Sequence, residues 1–403
     1  MPERQASTCG LTSEVLDSAG LRSLDTADWD RLSETALVEN PFYSRPYVLA
    51  GLDTIDSRAD LKAVAIRDAG GRLAGLFPFR PRVLPPFPWP VAEGAENLYQ
   101  PSGTPLVARD RARQVIDAWL DTMKSGASPR FWTIGHLDLD GAVKAGIDSE
   151  MAARSMTTRV VVPYPRPDLT RHPGGLDAHK AHVIGKSRLK DIRRNLRRLS
   201  DMGEVTFERA SDPAQVRERL EQFLALEQAG WKGERGTAFL SKEDDAAFAR
   251  KAFGGCEERE GLVSIDSLLL DGRPVAMAIN VCEGGTAFTP KCAYDETLRK
   301  ASPGLVLDYL IIEHFYGTTD HADMDAATTT GDHILHGLWN GQKQMGRLIV
   351  GPDDWRTSLL ASGWETARAG KERVKKVLGR APGRCSSVVS ALLLGATSMH
   401  LDA

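Results

Sequence analysis

Between Leu262 and Tyr316 the chain sets apolar runs between glycine turns, an order that leaves little freedom in how the segment can fold. Leu262 to Leu270, Pro274 to Val281 and Thr286 to Ala293 read as strands, separated by Asp271-Gly272 and Glu283-Gly284-Gly285. Turns this short join adjacent antiparallel strands, so the spacing predicts a three-stranded meander. A polar loop follows, Arg299-Lys300-Ala301-Ser302-Pro303-Gly304, then a buried helix over Leu305 to Tyr316. A helix start offers free backbone N–H groups and the positive end of the macrodipole, which suits an anionic ligand such as a pyrophosphate. Lys291, Tyr294 and Asp295 bring a cation, a phenol and a carboxylate to the same edge.

A chain of 403 residues is too long for one ordinary core, so two domains are expected. Leu61 to Arg67, the turn Asp68-Ala69-Gly70-Gly71, and Leu73 to Arg80 form a strand pair that echoes 262–281, with a helix (Arg111 to Met123) downstream of it. Two copies of one α/β unit, the first degenerate, account for the echo. The boundaries drawn are a polar tail over 1–24, a first lobe over 25–165, a second over 183–352 and a helical tail over 353–403. The proline-rich stretches Pro85–Pro90 and Pro165–His182 are expected to be irregular, the second as the linker.

In the second lobe, Asp212-Pro213 signals a helix start, with Val216, Leu220 and Phe223 as its buried stripe and Gly230 as its end. Glu227 falls on that stripe. A carboxylate there is either buried and paired or faces a cleft, and burial would raise its pKa towards that of a useful base. Trp231, Lys232 and Gly233 are candidates for an acceptor-binding loop. Upstream, Lys186 to Arg198 reads as a basic helix, able to grip a polyanion or to be a solvated face.

Net charge is −3, so nothing favours DNA as a partner. Five scattered cysteines without a C-x-x-C argue for reduced thiols in the cytoplasm and against a zinc knuckle. Cys292 alternates with Lys291 and is expected in the core. His321, His333 and His336 lie among aspartates without the spacing of a metal site, so no metal is expected. Asp325, at a strand end, is the member of that segment expected to touch substrate. No secretory leader or spanning helix is expected. The basic residues after Gly370 and the apolar stretch from Val388 to Met399 suit either peripheral contact with anionic lipid or a docking helix.

Helix, meander, anion loop and helix is the order of a GNAT acyltransferase. Arg299-x-x-Ser302-x-Gly304 resembles the loop that holds the acyl-CoA pyrophosphate there, with serine in place of the first glycine. Together with Lys291-x-x-Tyr294-Asp295-Glu296, Leu226-Glu227-x-x-Gly230-Trp231-Lys232-Gly233 and the arginine-rich helix, the run resembles the CelD/BcsL-like acetyltransferases, relatives of the FemAB peptidyl ligases. The resemblance covers roughly 25–350. His336-x-x-Trp339 stands where that family commonly has Lys-x-x-Trp, so the lysine's role does not carry over.

The resemblance implies an α/β (α+β) fold of two GNAT-like lobes, each a mixed, mostly antiparallel sheet flanked by helices. It implies acetyl-CoA or another acyl-CoA as cosubstrate, held by Arg299, Lys300, Ser302, Pro303 and Gly304. Lys291, Tyr294 and either Glu227 or Asp295 would serve the chemistry; Trp231, Lys232, Asp325, His336 and Trp339 would serve the acceptor. The acceptor implied is an amine of an amino sugar or envelope polysaccharide precursor, with polysaccharide-synthesis machinery as partner. The alternatives are a FemAB-like ligase fed by aminoacyl-tRNA and a non-catalytic scaffold for a polysaccharide synthase.

Overall fold

The computed structural model describes residues 5–6, 10–84, 87–151, 154–255, 257–318, 321–329, 331 and 333–378. Among the described residues, fourteen strands form one continuous sheet. They are β1 (Gln5–Ala6), β2 (Thr12–Leu16), β3 (Lys62–Arg67), β4 (Leu73–Leu84), β5 (Phe87–Gly94), β6 (Leu106–Val107), β7 (Phe131–Asp138), β8 (Met156–Thr170), β9 (Val205–Ala210), β10 (Val263–Leu270), β11 (Arg273–Glu283), β12 (Thr286–Tyr294), β13 (Asp323–Asp325) and β14 (Gly341–Pro352). The order across the sheet is β1-β2-β3-β4-β5-β7-β14-β8-β13-β12-β11-β10-β9, with β6 beside β4. The fold is the expected α/β class.

The internal echo is structural. Each half holds an antiparallel series that ends in a parallel pair, β5 with β7 and β12 with β13. A helix makes each crossover, Ala112–Ser125 in the first lobe and Pro303–Gly317 in the second, as parallel neighbours require. Trp119 of the first helix stacks on Phe77 of β4, ring centroids 4.9 Å apart. In the second lobe the helix Pro213–Ala229 starts as the sequence indicates: Asp212 accepts from the backbone amides of Ala214 and Gln215, with Pro213 in the first turn. The helices Pro303–Gly317 and Gly185–Ser200 cover the opposite face of the same strands.

Three expectations are corrected. Residues 12–22 are not a tail, because β2 pairs with β3 from Thr12↔Arg67 to Leu16↔Ala63 and Leu21 is fully buried. Phe87–Pro90 is strand: Val83 pairs with Pro90, and pairing with β7 begins only at Val91, so Pro88 and Pro90 sit where one edge needs no donors. The supposed linker is β8 up to Thr170. Pro165 and Pro167 face Gln344 and Gln342 of β14. The Pro167 carbonyl accepts from Ala326 on the other side. Prolines two residues apart turn their missing donors to one edge, which here is the edge where β13 gives out.

The two parallel pairs differ where they end. Beyond Glu93↔Thr133 in the first lobe, the Glu96 carboxylate fills the gap between β5 and β7. It accepts from the Gly135 amide at 2.8 Å and from Arg347 at 2.6 and 3.0 Å. A Cβ on Gly135 would lie 2.2 Å from Glu96 Oε1. Gly135→Ala should therefore destabilise the protein by about 2 kcal/mol in urea unfolding, in the overpacking range; unchanged stability would show that Glu96 has room to move.

Candidate functional site

In the second lobe the corresponding gap is not filled in this way. Pairing of β12 with β13 stops at Phe288↔Asp325, and β12 runs on to Tyr294. At the same point β12 carries a bulge, with Thr289 and Pro290 opposite Asn280 of β11. Beyond Asp325 the chain turns away through Ala327, which has a positive φ of 47°. The result is a wedge between β12 and the end of β13. A polar line pins the bulge from below: Arg209 makes two bonds to Asp266 at 2.6 and 2.7 Å, Asn280 donates to Asp266 at 2.8 Å, and Thr289 donates to Asn280 at 2.8 Å. Asp266 and Asn280 are fully buried.

At the open end of β12 the chain forms a 3-10 turn, Glu296–Ala301, then Ser302 in the left-handed region (φ 45°), then the helix Pro303–Gly317. No side chain caps that helix, so its first amides remain available to a ligand. Gly304 lies against Tyr294, with 3.5 Å from a notional Cβ to the ring, which leaves the strand end and helix start in close register. Arg299 and Lys300 are exposed. The basic helix Gly185–Ser200 runs alongside, and Arg198 donates to the Lys300 carbonyl at 2.9 Å. Cations thus flank the uncapped helix start.

On the other face of β12, Lys291 pairs in register with Ile279, itself opposite Ile265. It therefore points towards the helix Pro213–Ala229, where Glu227 is 2% exposed. Glu227 Oε1 lies 3.0 Å from Lys232 Nζ and 3.6 Å from Lys291 Nζ, and Oε2 accepts from the Phe239 amide at 2.9 Å. Lys232 also donates to the Cys292 carbonyl at 2.7 Å. The Lys291 ammonium sits over two rings, Phe239 at 4.4 Å and Tyr99 of the first lobe at 4.9 Å. Burial holds the Lys291 pKa below the ordinary lysine range, against the pull of the Glu227 charge.

The remaining candidates have other surroundings. Asp295 caps the 3-10 turn through Thr297 and pairs with Arg273 at 3.0 Å. Partial burial opposes its ionisation, but those bonds hold its carboxyl below the usual range. A carboxylate so occupied is poorly suited to accept a proton. Trp231 is exposed, lies under Arg235, and donates its backbone amide to Glu296. His336 is exposed in the turn Ile334–Gly337, its Nε2 3.1 Å from the Gly331 carbonyl. Three placements correct the sequence reading. Trp339 is 5% exposed in the core beside Leu338 and Ile192, because the turn before it folds inward. Asp325 is 2% exposed and saturated by partners. Its carboxylate takes the Ala327 amide at 2.7 Å, Lys343 at 3.1 Å and Arg166 at 3.5 Å. Cys292, expected inside, is exposed.

The sequence reading missed Tyr99, Phe239, Tyr164, Arg166 and Lys343. For two of them a signal existed: Tyr164 and Arg166, with Asp168 after them, alternate with prolines, the period of a strand with one polar face. Among the described residues there is no cluster of His, Cys, Asp and Glu able to hold a metal ion, and no helix long and apolar enough to cross a membrane.

Residues 186–328 match the family described as an acetyltransferase (GNAT) domain. That segment includes the basic helix, Glu227, the meander and the uncapped helix. No curated protein matches the chain. Two solved structures share its fold over most of both lengths. One is FemX, at 12% identity and a TM-score of 0.53, covering 81% of this chain and 96% of its own. The other is a conserved protein of unknown function from Bacteroides thetaiotaomicron VPI-5482, at 10% identity and 0.52, covering 87% and 99%. A tandem GNAT protein from the clavulanic acid biosynthesis pathway also aligns, at 12% identity and 0.42, over 85% and 99%. At such identities the likeness is one of fold. The domain match sets the reaction class, and the chain is an N-acyltransferase.

Proposed function

We propose that this N-acyltransferase takes its acyl group from an acyl-CoA, most simply acetyl-CoA, and passes it to a primary amine by direct attack in a ternary complex, the C–S bond breaking and CoA leaving as the thiol that takes up the proton the amine loses. The observation that carries the reading is the wedge. It leads from an uncapped, cation-flanked helix start down one face of β12, and Lys291 and Glu227 stand on the other face. Pyrophosphate at Ser302–Leu305 would leave the pantetheine arm to thread between β12 and β13. The thioester carbonyl would then reach the bulge near Lys291. The Lys291 ammonium, desolvated and held in place by Glu227, would offset charge on the tetrahedral intermediate. Glu227 itself acts by keeping Lys291 charged, since both its oxygens are engaged. The amine enters from the side where Tyr99 of the first lobe closes over the site. An amino sugar or another precursor of an envelope polysaccharide fits the resemblance to CelD/BcsL-like enzymes, with synthesis machinery or an anionic membrane surface as partner.

A ligand that binds only the folded protein raises its melting temperature with concentration. Acetyl-CoA should do so, and Ser302→Trp should abolish the shift while leaving the unliganded melting temperature in place. The basic helix beside Lys300 also suits the phosphates of a tRNA. Retention on tRNA with no shift from any acyl-CoA would favour the aminoacyl-tRNA alternative and remove this one.

A further inference from the structure

We propose that His136 of the first lobe binds the acceptor across the wedge from Lys291, its Nε2–H donating to a hydroxyl or carbonyl oxygen of the amine substrate. The inference rests on the wedge being the acyl-transfer site.

Register places the residue. Phe288 of β12, Asp325 of β13 and Asp168 of β8 are aligned side by side. From that line Lys291 lies three residues further along β12, and Tyr164 lies four residues along β8 in the same spatial direction. β13 ends between them, so Tyr164 forms the far wall of the gap that Lys291 lines. Two bulges bring His136 to that wall. Gly135 and His136 stand opposite Arg347 on one side of β14, and Val162 and Pro163 stand opposite Gly346 on the other. His136 and Val162 both have positive φ, 48° and 55°. Such backbone costs on the order of 1–3 kcal/mol and persists where the surroundings impose it, often at binding sites. Here it turns the imidazole across β14 until Nδ1 is 2.8 Å from the Tyr164 hydroxyl.

The bonding order fixes which nitrogen carries the proton. Arg166 has no acceptor, so at 3.0 Å its Nη2 donates to the Tyr164 oxygen. Tyr164 is 9% exposed, and its own proton needs an acceptor. His136 Nδ1 is the acceptor within reach, which leaves the proton on Nε2. The ring is half-buried, and Nε2 has no partner among the described residues. Burial pushes the His136 pKa down to about 4, so the ring is neutral at physiological pH and offers a donor without a charge. Arg166 in turn is anchored by the Pro101 and Thr328 carbonyls and by Asp325. The donor is thus fixed to the floor of the wedge. A neutral donor suits a hydroxylated or carbonyl-bearing amine better than an alkylamine.

The test compares acetylation of D-glucosamine and cyclohexylamine, two amines of similar size that differ in hydroxyls, by wild type, His136→Leu and His136→Gln. The leucine variant should raise KM for glucosamine about tenfold, within the range of one lost hydrogen bond. It should leave KM for cyclohexylamine and acetyl-CoA in place. Glutamine, which restores an N–H near Nε2, should return glucosamine to within about threefold of wild type. Equal effects on both amines, or none, would overturn the assignment. If wild type acetylates neither amine, the reading of the wedge for such acceptors has failed. The ring is then judged directly by 15N NMR. An Nε2–H tautomer at pH 7 supports the inference, and an Nδ1–H tautomer or protonation near the ordinary histidine pKa defeats it.

Discussion

Lys291→Met should lower kcat by about two to three orders of magnitude, the loss typical when one preorganised donor to a developing oxyanion is removed. Melting temperature and acetyl-CoA binding should stay near wild type. The methionine fills the volume between Phe239 and Tyr99, and Glu227 retains Lys232 and the Phe239 amide. Equal kcat would show that Lys291 is not at the reacting carbonyl. The same residue gives a pH signature. Its cation is the active form, and burial lowers its pKa, so activity should fall as pH rises through a value below the ordinary lysine range. The Glu227 charge is what raises that pKa against burial. Glu227→Gln should therefore move the alkaline limb to lower pH; a limb that stays put, or moves up, would remove Glu227 from this role.

The largest effect on stability is expected at Asp325. Asp325→Ala leaves Arg166, 1% exposed, and Lys343 without their shared counter-charge. Breaking a buried pair by removing one partner costs about 3–5 kcal/mol, which for a chain of this size lowers the melting temperature by about 4–6 °C. A change under about 2 °C would mean that Asp168 compensates through Lys343. The sign with pH can be checked as well. Burial opposes ionisation of Asp325, but Arg166 and Lys343 prevail and hold its folded pKa below the ordinary value. Its contribution is complete above the unfolded-state pKa and is lost as pH falls through the folded one. The stability gap between wild type and Asp325→Asn should therefore be flat at neutral pH and close in acid.

The meander was legible because its strands are bounded by Asp271-Gly272 and Glu283-Gly284-Gly285, local signals that no distant contact has to supply. Asp212-Pro213 and the stripe 216, 220, 223 marked the helix for the same reason, and Glu227 stood out as the carboxylate on that stripe. Prolines misled twice. In Phe87–Pro90 and in β8 they stand where one edge asks for no donor from them, and a single sequence does not show which edges these are. The parts of the site contributed by the first lobe were out of reach. Tyr99 meets Lys291, and His136 meets Tyr164, only through strand order across the whole sheet. Asp325 and Trp339 drew attention by residue type, whereas burial decides what each one does.

The placement of β14 has a consequence for how the protein is made. Among the described strands it comes last in the chain, yet it lies between β7 and β8, at the centre of the sheet. Until it emerges, both of those strands present unpaired edges, which are templates for any other extended chain. The two lobes are therefore completed together, once Gly341–Pro352 has emerged. A nascent or truncated chain that stops short of Gly341 is the form most exposed to mispairing with its neighbours on a polysome.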